Sequence, residues 1–162
     1  MTTIDDGAAA PSTVPWPPLV VGVAAVAAVG LGRALPLRRR LPTGVRAFGA
    51  AALAAGLAFD VAAMATMRRH RANILPHRPA TALVTSGPFA LTRNPIYLGN
   101  TLALAGAGIL SSNPWLPVGA ALAARAVADL AIVPEERHMA ARFGEDWVAY
   151  ERRVPRWLGV SR

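Results

Sequence analysis

Two polar segments of the chain contain the residue types that could do chemistry. The first polar segment is residues 83–100, LVTSGPFALTRNPIYLGN, and the second is residues 134–157, PEERHMAARFGEDWVAYERRVPRW. Two apolar runs joined by a few residues lie between them, so both segments return to one side of a membrane. We therefore expect the two segments to close on each other and form the active site.

The polar side chains of these segments favour binding of a charged organic ligand. An arginine beside a helix N-terminus can hold a carboxylate, while tyrosine faces and carboxylates can hold a cation. The sequence has no cysteine, glycine-rich phosphate loop or serine elbow, so hydrolysis and phosphoryl transfer are poorly supported. The residues expected in this pocket are Arg93, Asn94, Tyr97, Glu135, Glu136 and Tyr150.

This combination of charges fits S-adenosyl-L-methionine. That molecule has a carboxylate and an ammonium at one end and a sulfonium at the methyl group that reacts. Methyl transfer needs mainly alignment of an acceptor lone pair with the methyl group, so proximity can supply much of the catalysis without a metal. Three scattered histidines and no cysteine make a weak case for a metal, and we expect none.

The composition predicts an all-α, polytopic membrane helical bundle with about four transmembrane helices plus a C-terminal amphipathic helix. Of the 162 residues, 54% are hydrophobic, and the mean hydropathy is +0.37. The apolar residues are gathered into long runs instead of amphipathic stripes. These four apolar runs are residues 19–35, 45–67, 95–110 and 115–133.

Local signals predict where several helices begin and how they pack. Asn94 and Pro95 suit the cap and the first position of a helix, and Pro134 with two following acids suits another start. Small residues recur every fourth position in the third and fourth runs, which predicts a closely packed antiparallel hairpin. These stripes are Gly99, Ala103 and Ala107 in the third run and Ala120, Ala124 and Ala128 in the fourth.

Two apolar runs contain charged residues. Arg125 and Asp129 are four residues apart, which lets them pair on one helix face. Asp60 in the second run either lies near the headgroups or bonds to a neighbouring helix, or it has a functional role. Beyond Pro134, an apolar stripe of Met139, Phe143, Trp147 and Tyr150 predicts an amphipathic helix along the membrane surface.

The net charge of +8 comes entirely from arginine, and most arginines lie next to apolar runs. Arginines in such places anchor to headgroups, and no recognition motif points to nucleic acid. We expect an integral membrane protein of the inner or plasma membrane, in contact with membrane lipids, whose active site faces the cytoplasm. The triplet Arg38 to Arg40 would then lie outside, unless the first run does not span the membrane.

The sequences LVTSGPFALTRNPIYLG and PEERHMAARFGEDWVAYERRVPRW resemble the isoprenylcysteine carboxyl methyltransferase and phospholipid methyltransferase superfamily of integral membrane enzymes. The resemblance extends over residues 77–157 and joins two motifs at the expected separation. It implies an enzyme that takes S-adenosyl-L-methionine from the cytosol and a lipophilic methyl acceptor from the bilayer. Domains expected are a disordered tail (1–18), two N-terminal membrane helices (19–67) and a methyltransferase core (68–162).

We expect roles for individual residues in such an enzyme. Arg93, Tyr97 and Glu136 are the expected catalytic residues. Arg125, Tyr150 and Arg153 are the expected substrate contacts, and the resemblance itself implies the cofactor contacts. The implied cofactor contacts are Thr81, Ala82, Leu83, Val84, Phe89, Asn94, Pro95, Ile96, Tyr97 and Glu135.

The chain departs from the prenylcysteine enzymes at two places. Asn94 stands where they have a histidine, and the apolar stretch 131–133 stands where they have an arginine that meets the substrate. A carboxylate acceptor needs no base, whereas an amine must first lose a proton, and candidate bases are limited to Glu136, Asp129 and His77. Carboxylate O-methylation is therefore favoured. Phospholipid N-methylation and a non-catalytic scaffold remain alternatives.

Overall fold

The computed structural model describes residues 17–37, 40–72 and 81–159, and the regular secondary structure in these parts of the chain is all helical. His77, one of the candidate bases, lies outside the described residues. A single 3-10 turn, Gly87–Ala90, precedes the third helix. The helices are α1 (Pro17–Ala34), α2 (Thr43–Arg69), α3 (Pro95–Ser111), α4 (Trp115–Val127) and α5 (Val133–Arg153).

The helices form a bundle suited to a membrane. Helices α1 and α2 and the continuous helix from Trp115 to Arg153 are each long and apolar enough to cross a bilayer. Helix α3 is apolar but shorter, with 17 residues. The exposed side chains of α1 are largely apolar, including Leu19, Val23 and Val26, as expected of a face turned toward lipid. The prediction of a helical membrane bundle is confirmed.

Neighbouring helices pack in the order α1, α4, α3 and α2. The predicted hairpin of α3 and α4 is confirmed, but the prediction that Gly99 and Ala103 face α4 is wrong. Both residues lie against Gly56 of α2. A Cβ added to Gly56 would lie 2.5 Å from the backbone nitrogen of Ala103 and 2.5 Å from the carbonyl oxygen of Gly99. Glycines on both helices allow this close backbone approach, so α2 and α3 share the largest helix contact.

No turn separates the fourth helix from the amphipathic helix after it. A π-helical turn, Ala128–Ile132, joins α4 to α5, and the Val133 amide donates to the carbonyl of Ala128, five residues earlier. Pro134 has no amide hydrogen and its ring crowds the preceding turn, which a widened turn accommodates. The predicted pairing inside this helix is confirmed, with 3.0 Å between Arg125 Nε and Asp129 Oδ2.

Helix α5 is kinked at Gly144, which has φ 51° and ψ −122°. This conformation is open to glycine and strained for residues with a Cβ. The kink separates Met139 and the acids of the first turn from Trp147 and Tyr150, so that both halves of α5 border the same space. The predicted apolar stripe is confirmed: Met139 and Phe143 pack against a buried cluster that includes Trp147 and Tyr150.

Candidate active site

The two polar segments meet in one cleft at the end of the bundle where α2 ends and α3 begins. The cleft encloses about 600 Å³ of space, part of it open to solvent. Its lining residues are Met67, Ala72, Ala82, Leu83, Val84, Phe89, Arg93, Asn94, Ile132, Glu135, Glu136, Met139, Trp147 and Tyr150.

The backbone on one side of the cleft is bound to the C-terminal segment. The Arg93 amide donates to the carbonyl of Pro155 at 2.9 Å. The side chains of Thr92 and Asn94 both donate to the carbonyl of Arg156, at 2.8 and 3.1 Å. Helix α3 does begin at Pro95, but Asn94 makes no side-chain cap bond. Asn94 therefore occupies the predicted cap position, but its side-chain amide binds the C-terminal segment instead of the helix backbone.

Arg93 is the central charge of the cleft. Its side chain is 8% exposed and forms ion pairs with Glu151 and with Glu136, the latter at 3.4 Å between Nη2 and Oε1. The guanidinium also lies over the Trp147 ring, 5.6 Å from the centroid, at a distance suited to a cation–π contact. Its Nε is buried and has no hydrogen-bond partner among the described residues. A buried donor without an acceptor is costly, so Arg93 is prepared to bind an additional acceptor atom.

Glu136 is held by a second arginine. The guanidinium of Arg156 donates to both of its carboxylate oxygens, from Nε to Oε1 at 3.0 Å and from Nη2 to Oε2 at 2.5 Å. This bidentate geometry is the strongest form of an arginine–carboxylate contact, and it raises the pKa of Arg156. Glu136 is thus committed to ion pairs with two arginines, which makes it a poor general base.

Glu135 differs from its neighbour because none of the described arginines forms an ion pair with it. It lies beyond the apolar part of its helix, and its carboxyl opens into the cleft. Glu135 lines the cleft next to Glu136. Tyr97 lies close enough to feel the negative charge of the Glu135 carboxylate. A carboxylate in this position can attract a cationic ligand.

Tyr150 links α5 to the first polar segment. Its hydroxyl donates to the carbonyl of Phe89 at 2.7 Å, and its ring meets Trp147 edge to face with centroids 5.7 Å apart. Burial raises the pKa of Tyr150 by more than the positive charge of the nearby Arg93 lowers it. The hydroxyl therefore remains protonated and acts as a hydrogen-bond donor to the backbone.

Several residues expected in the site do not border the cleft. Thr81 is exposed and donates to the carbonyl of Arg71 at 3.2 Å. Arg125 is paired with Asp129 on an exposed face of its helix, and Arg153 is exposed with its Nε donating to the carbonyl of Ala149. Neither arginine is brought to the cleft. The remaining residues outside its lining are Pro95, Ile96 and Tyr97 in the first turn of α3.

Other residues border or support the cleft without having been assigned to the site from the sequence. Met139 and Trp147 belong to the predicted apolar stripe, which signalled packing but no ligand contact. Arg156 and Glu151 lie near the second motif, and their partners in the fold could not be read from sequence spacing. The unassigned lining residues are Met67, Ala72, Ile132, Met139 and Trp147. No group of three or more His, Asp or Glu side chains among the described residues is placed to hold a metal.

The fold and the cleft define a class: a helical membrane protein with a cleft lined by charged and apolar side chains at one end of its bundle. Comparison with protein families gives a match to the phospholipid methyltransferase family over residues 45–146. The match includes α2, α3, α4 and most of the residues that line the cleft. This chain belongs to that family, within the isoprenylcysteine carboxyl methyltransferase-like superfamily.

Two characterised relatives match a shorter part of the chain. The cobalt-zinc-cadmium resistance protein CzcN of Cupriavidus metallidurans is 36% identical over 78 residues. The nickel-cobalt-cadmium resistance protein NccN of Alcaligenes xylosoxydans xylosoxydans is 33% identical over 78 residues. Each alignment covers 48% of this chain and 36% of the relative, so the chain matches about a third of the length of these proteins.

Proposed function

We propose that this protein is an integral membrane methyltransferase that uses S-adenosyl-L-methionine to methylate a lipophilic acceptor. The observation that supports this most is the cleft, in which both polar segments place charged groups around a largely apolar space. Membership of the phospholipid methyltransferase family supports the same reaction class.

The cleft offers groups for each charged part of the cofactor. The buried Nε of Arg93, which has no partner among the described residues, would donate a hydrogen bond to the cofactor carboxylate. Glu135 and the ring of Trp147 would attract its ammonium and sulfonium. Leu83, Val84 and other apolar lining residues would contact the uncharged part. When bound, the cofactor supplies an electrophilic methyl group, and the protein aligns the acceptor with it.

The acceptor proposed first is a lipophilic carboxylate. An ionised carboxylate needs no base, and Glu136 is held in ion pairs with two arginines. A second candidate is the amine of a phospholipid headgroup. It is favoured by the family description and by Glu135, a carboxylate that lines the cleft without an ion pair to any described arginine and can accept a proton.

The two acceptors can be separated by the stability of the product. Purified protein in lipid vesicles would be incubated with methyl-labelled S-adenosyl-L-methionine and a panel of prenylcysteines, fatty acids and ethanolamine phospholipids. We expect label in the organic phase that mild alkali releases as methanol, because methyl esters hydrolyse and N-methyl groups do not. Label that resists alkali and stays with the phospholipid would support the amine acceptor instead. No transferred label with any acceptor would contradict the proposed enzyme and favour a non-catalytic scaffold.

The cleft is proposed to face the cytoplasm, where the cofactor is available. Exposed Arg68, Arg69 and Arg71 follow the end of α2 that borders the cleft, and such arginines favour the cytoplasmic side. The chain has no cysteine, so single cysteines can report topology. In intact cells, a membrane-impermeant maleimide should label Thr43→Cys at the far end of α2, and Glu145→Cys only after permeabilisation. The reverse pattern would place the cleft outside.

A further inference from the structure

The two carboxylates on Arg93 differ in how firmly they are held. Glu136 is 12% exposed and is bound through both oxygens by Arg156. Glu151 is 44% exposed, and its ion pair with Arg93 is made from the second half of α5, beyond the kink at Gly144. Glu151 can therefore leave Arg93 and be solvated, whereas Glu136 cannot leave without breaking the contact with Arg156.

A buried guanidinium needs a nearby negative charge, because an unpaired charge of low exposure is strongly destabilising. In the ligand-free protein Glu151 supplies that charge at the cleft. A ligand carboxylate that binds to Arg93 would supply the same negative charge in place of Glu151. Both carboxylates would compete for the donors of one planar guanidinium, whose geometry suits a two-pronged contact.

We propose that Glu151 occupies the carboxylate subsite of the cleft and is displaced when a ligand carboxylate binds to Arg93. The inference rests on the proposed function, since the displacing group is the carboxylate of S-adenosyl-L-methionine. One carboxylate replaces another, so the charge of the subsite is unchanged and no bond is made or broken. Glu151 thereby acts as a specificity-determining residue: ligands without a carboxylate cannot replace it on Arg93.

This arrangement predicts an effect opposite to that of an ordinary binding residue. Replacing Glu151 by glutamine removes the competing charge, so ligands with a carboxylate should bind more tightly. Because Glu151 is partly exposed, its competition is weakened by water, and we expect a gain in affinity of about threefold to fivefold. A ligand without a carboxylate should gain nothing.

The test is calorimetric titration of the full chain in detergent with S-adenosylhomocysteine and with methylthioadenosine, which lacks the amino-acid group. Glu151→Gln should tighten binding of the first ligand and leave binding of the second unchanged. The matched control is Glu145→Gln, which removes an exposed acid from the same helix and should change neither affinity. The ratio of the two affinities does not depend on the folded fraction, so partial unfolding of the variant does not obscure the result.

Two results would overturn this inference while leaving the proposed function intact. One is unchanged or weaker binding of S-adenosylhomocysteine to Glu151→Gln, with normal binding to the unmodified protein. The other is an equal gain for both ligands, which would mean that Glu151 restricts access to the cleft without occupying the carboxylate subsite. If the unmodified protein binds neither ligand, the proposed function itself fails, and the inference fails with it.

Discussion

Replacing Arg93 by glutamine should lower the affinity for S-adenosyl-L-methionine by about 100-fold. Loss of one partner from a buried, hydrogen-bonded charge pair costs about 2–5 kcal/mol, and each 1.4 kcal/mol corresponds to about tenfold in affinity. Arg93 is 8% exposed, and its Nε is buried without a partner, so the contact with a ligand carboxylate would form away from water. Equilibrium dialysis with labelled cofactor would measure the change.

The matched control for Arg93 is Arg137→Gln, which removes an exposed arginine from the first half of α5. It should bind the cofactor as the unmodified protein does. Arg93→Lys should recover part of the lost affinity, since lysine keeps the charge but lacks the planar fork of arginine. If Arg93→Gln and Arg137→Gln bind equally well, the carboxylate of the cofactor does not lie on Arg93.

Replacing Gly106 by valine should strongly destabilise the bundle. A Cβ at Gly106 would lie 2.4 Å from the backbone nitrogen of Leu53 and 2.7 Å from the carbonyl oxygen of Gly49, both on α2. Backbone atoms cannot move aside as the end of a side chain can, so α2 and α3 would have to separate. Overpacking costs about 1–3 kcal/mol when only side chains adjust, and we expect a loss of at least about 3 kcal/mol here. Thermal unfolding in detergent would measure it.

The control is Gly30→Val on α1, where an added Cβ meets no atom within 4 Å. Both variants change a helical glycine to the same β-branched residue, so the difference between their unfolding temperatures isolates the contact with α2. Equal shifts would show that α2 and α3 do not approach each other as described. Because Met67 at the end of α2 borders the cleft, we also expect Gly106→Val to lose cofactor binding.

The convergence of the two polar segments could be predicted from the sequence because it depends only on the even number of membrane-crossing runs between them. Two apolar runs joined by the short turn around Asn113 must bring Arg93 and Glu135 to the same end of the bundle. The start of α3 at Pro95 could also be predicted, since proline has few suitable positions in a helix. Both predictions depend on properties of the local chain and not on which helices are neighbours.

The helix packing could not be predicted in the same way. Gly99 and Ala103 form a stripe of small residues that suits any close partner, and the sequence does not say which helix provides it. The partner is α2 because Gly49 and Gly56 form a matching stripe there. Asp60 lies in this contact beside Gly99 of the neighbouring helix, and its buried Oδ1 has no hydrogen-bond partner among the described residues. A functional role for Asp60 stays a prediction.

The ion pairs of the cleft depend on the backbone conformation of Gly144, which the spacing of charged residues in the sequence does not specify. Arg156 reaches Glu136 and receives the Asn94 side chain on its carbonyl because the chain changes direction at Gly144. An isolated glycine inside an amphipathic pattern is a signal of a kink, but it does not indicate the direction in which the helix bends. The cap position of Asn94 was predicted, but the partner of its side chain was not, since that carbonyl is 62 residues away.

The most direct test of the central claim is transfer of a labelled methyl group by membranes that contain this chain. Membranes with the unmodified protein, with Arg93→Gln and with Arg137→Gln would be incubated with methyl-labelled S-adenosyl-L-methionine, and the extracted lipids counted. We predict label in the lipid fraction for the unmodified protein and for Arg137→Gln, and a loss of about 100-fold for Arg93→Gln at low cofactor concentration. Equal label in all three membranes, or none above membranes without the chain, would contradict a methyltransferase site in this cleft.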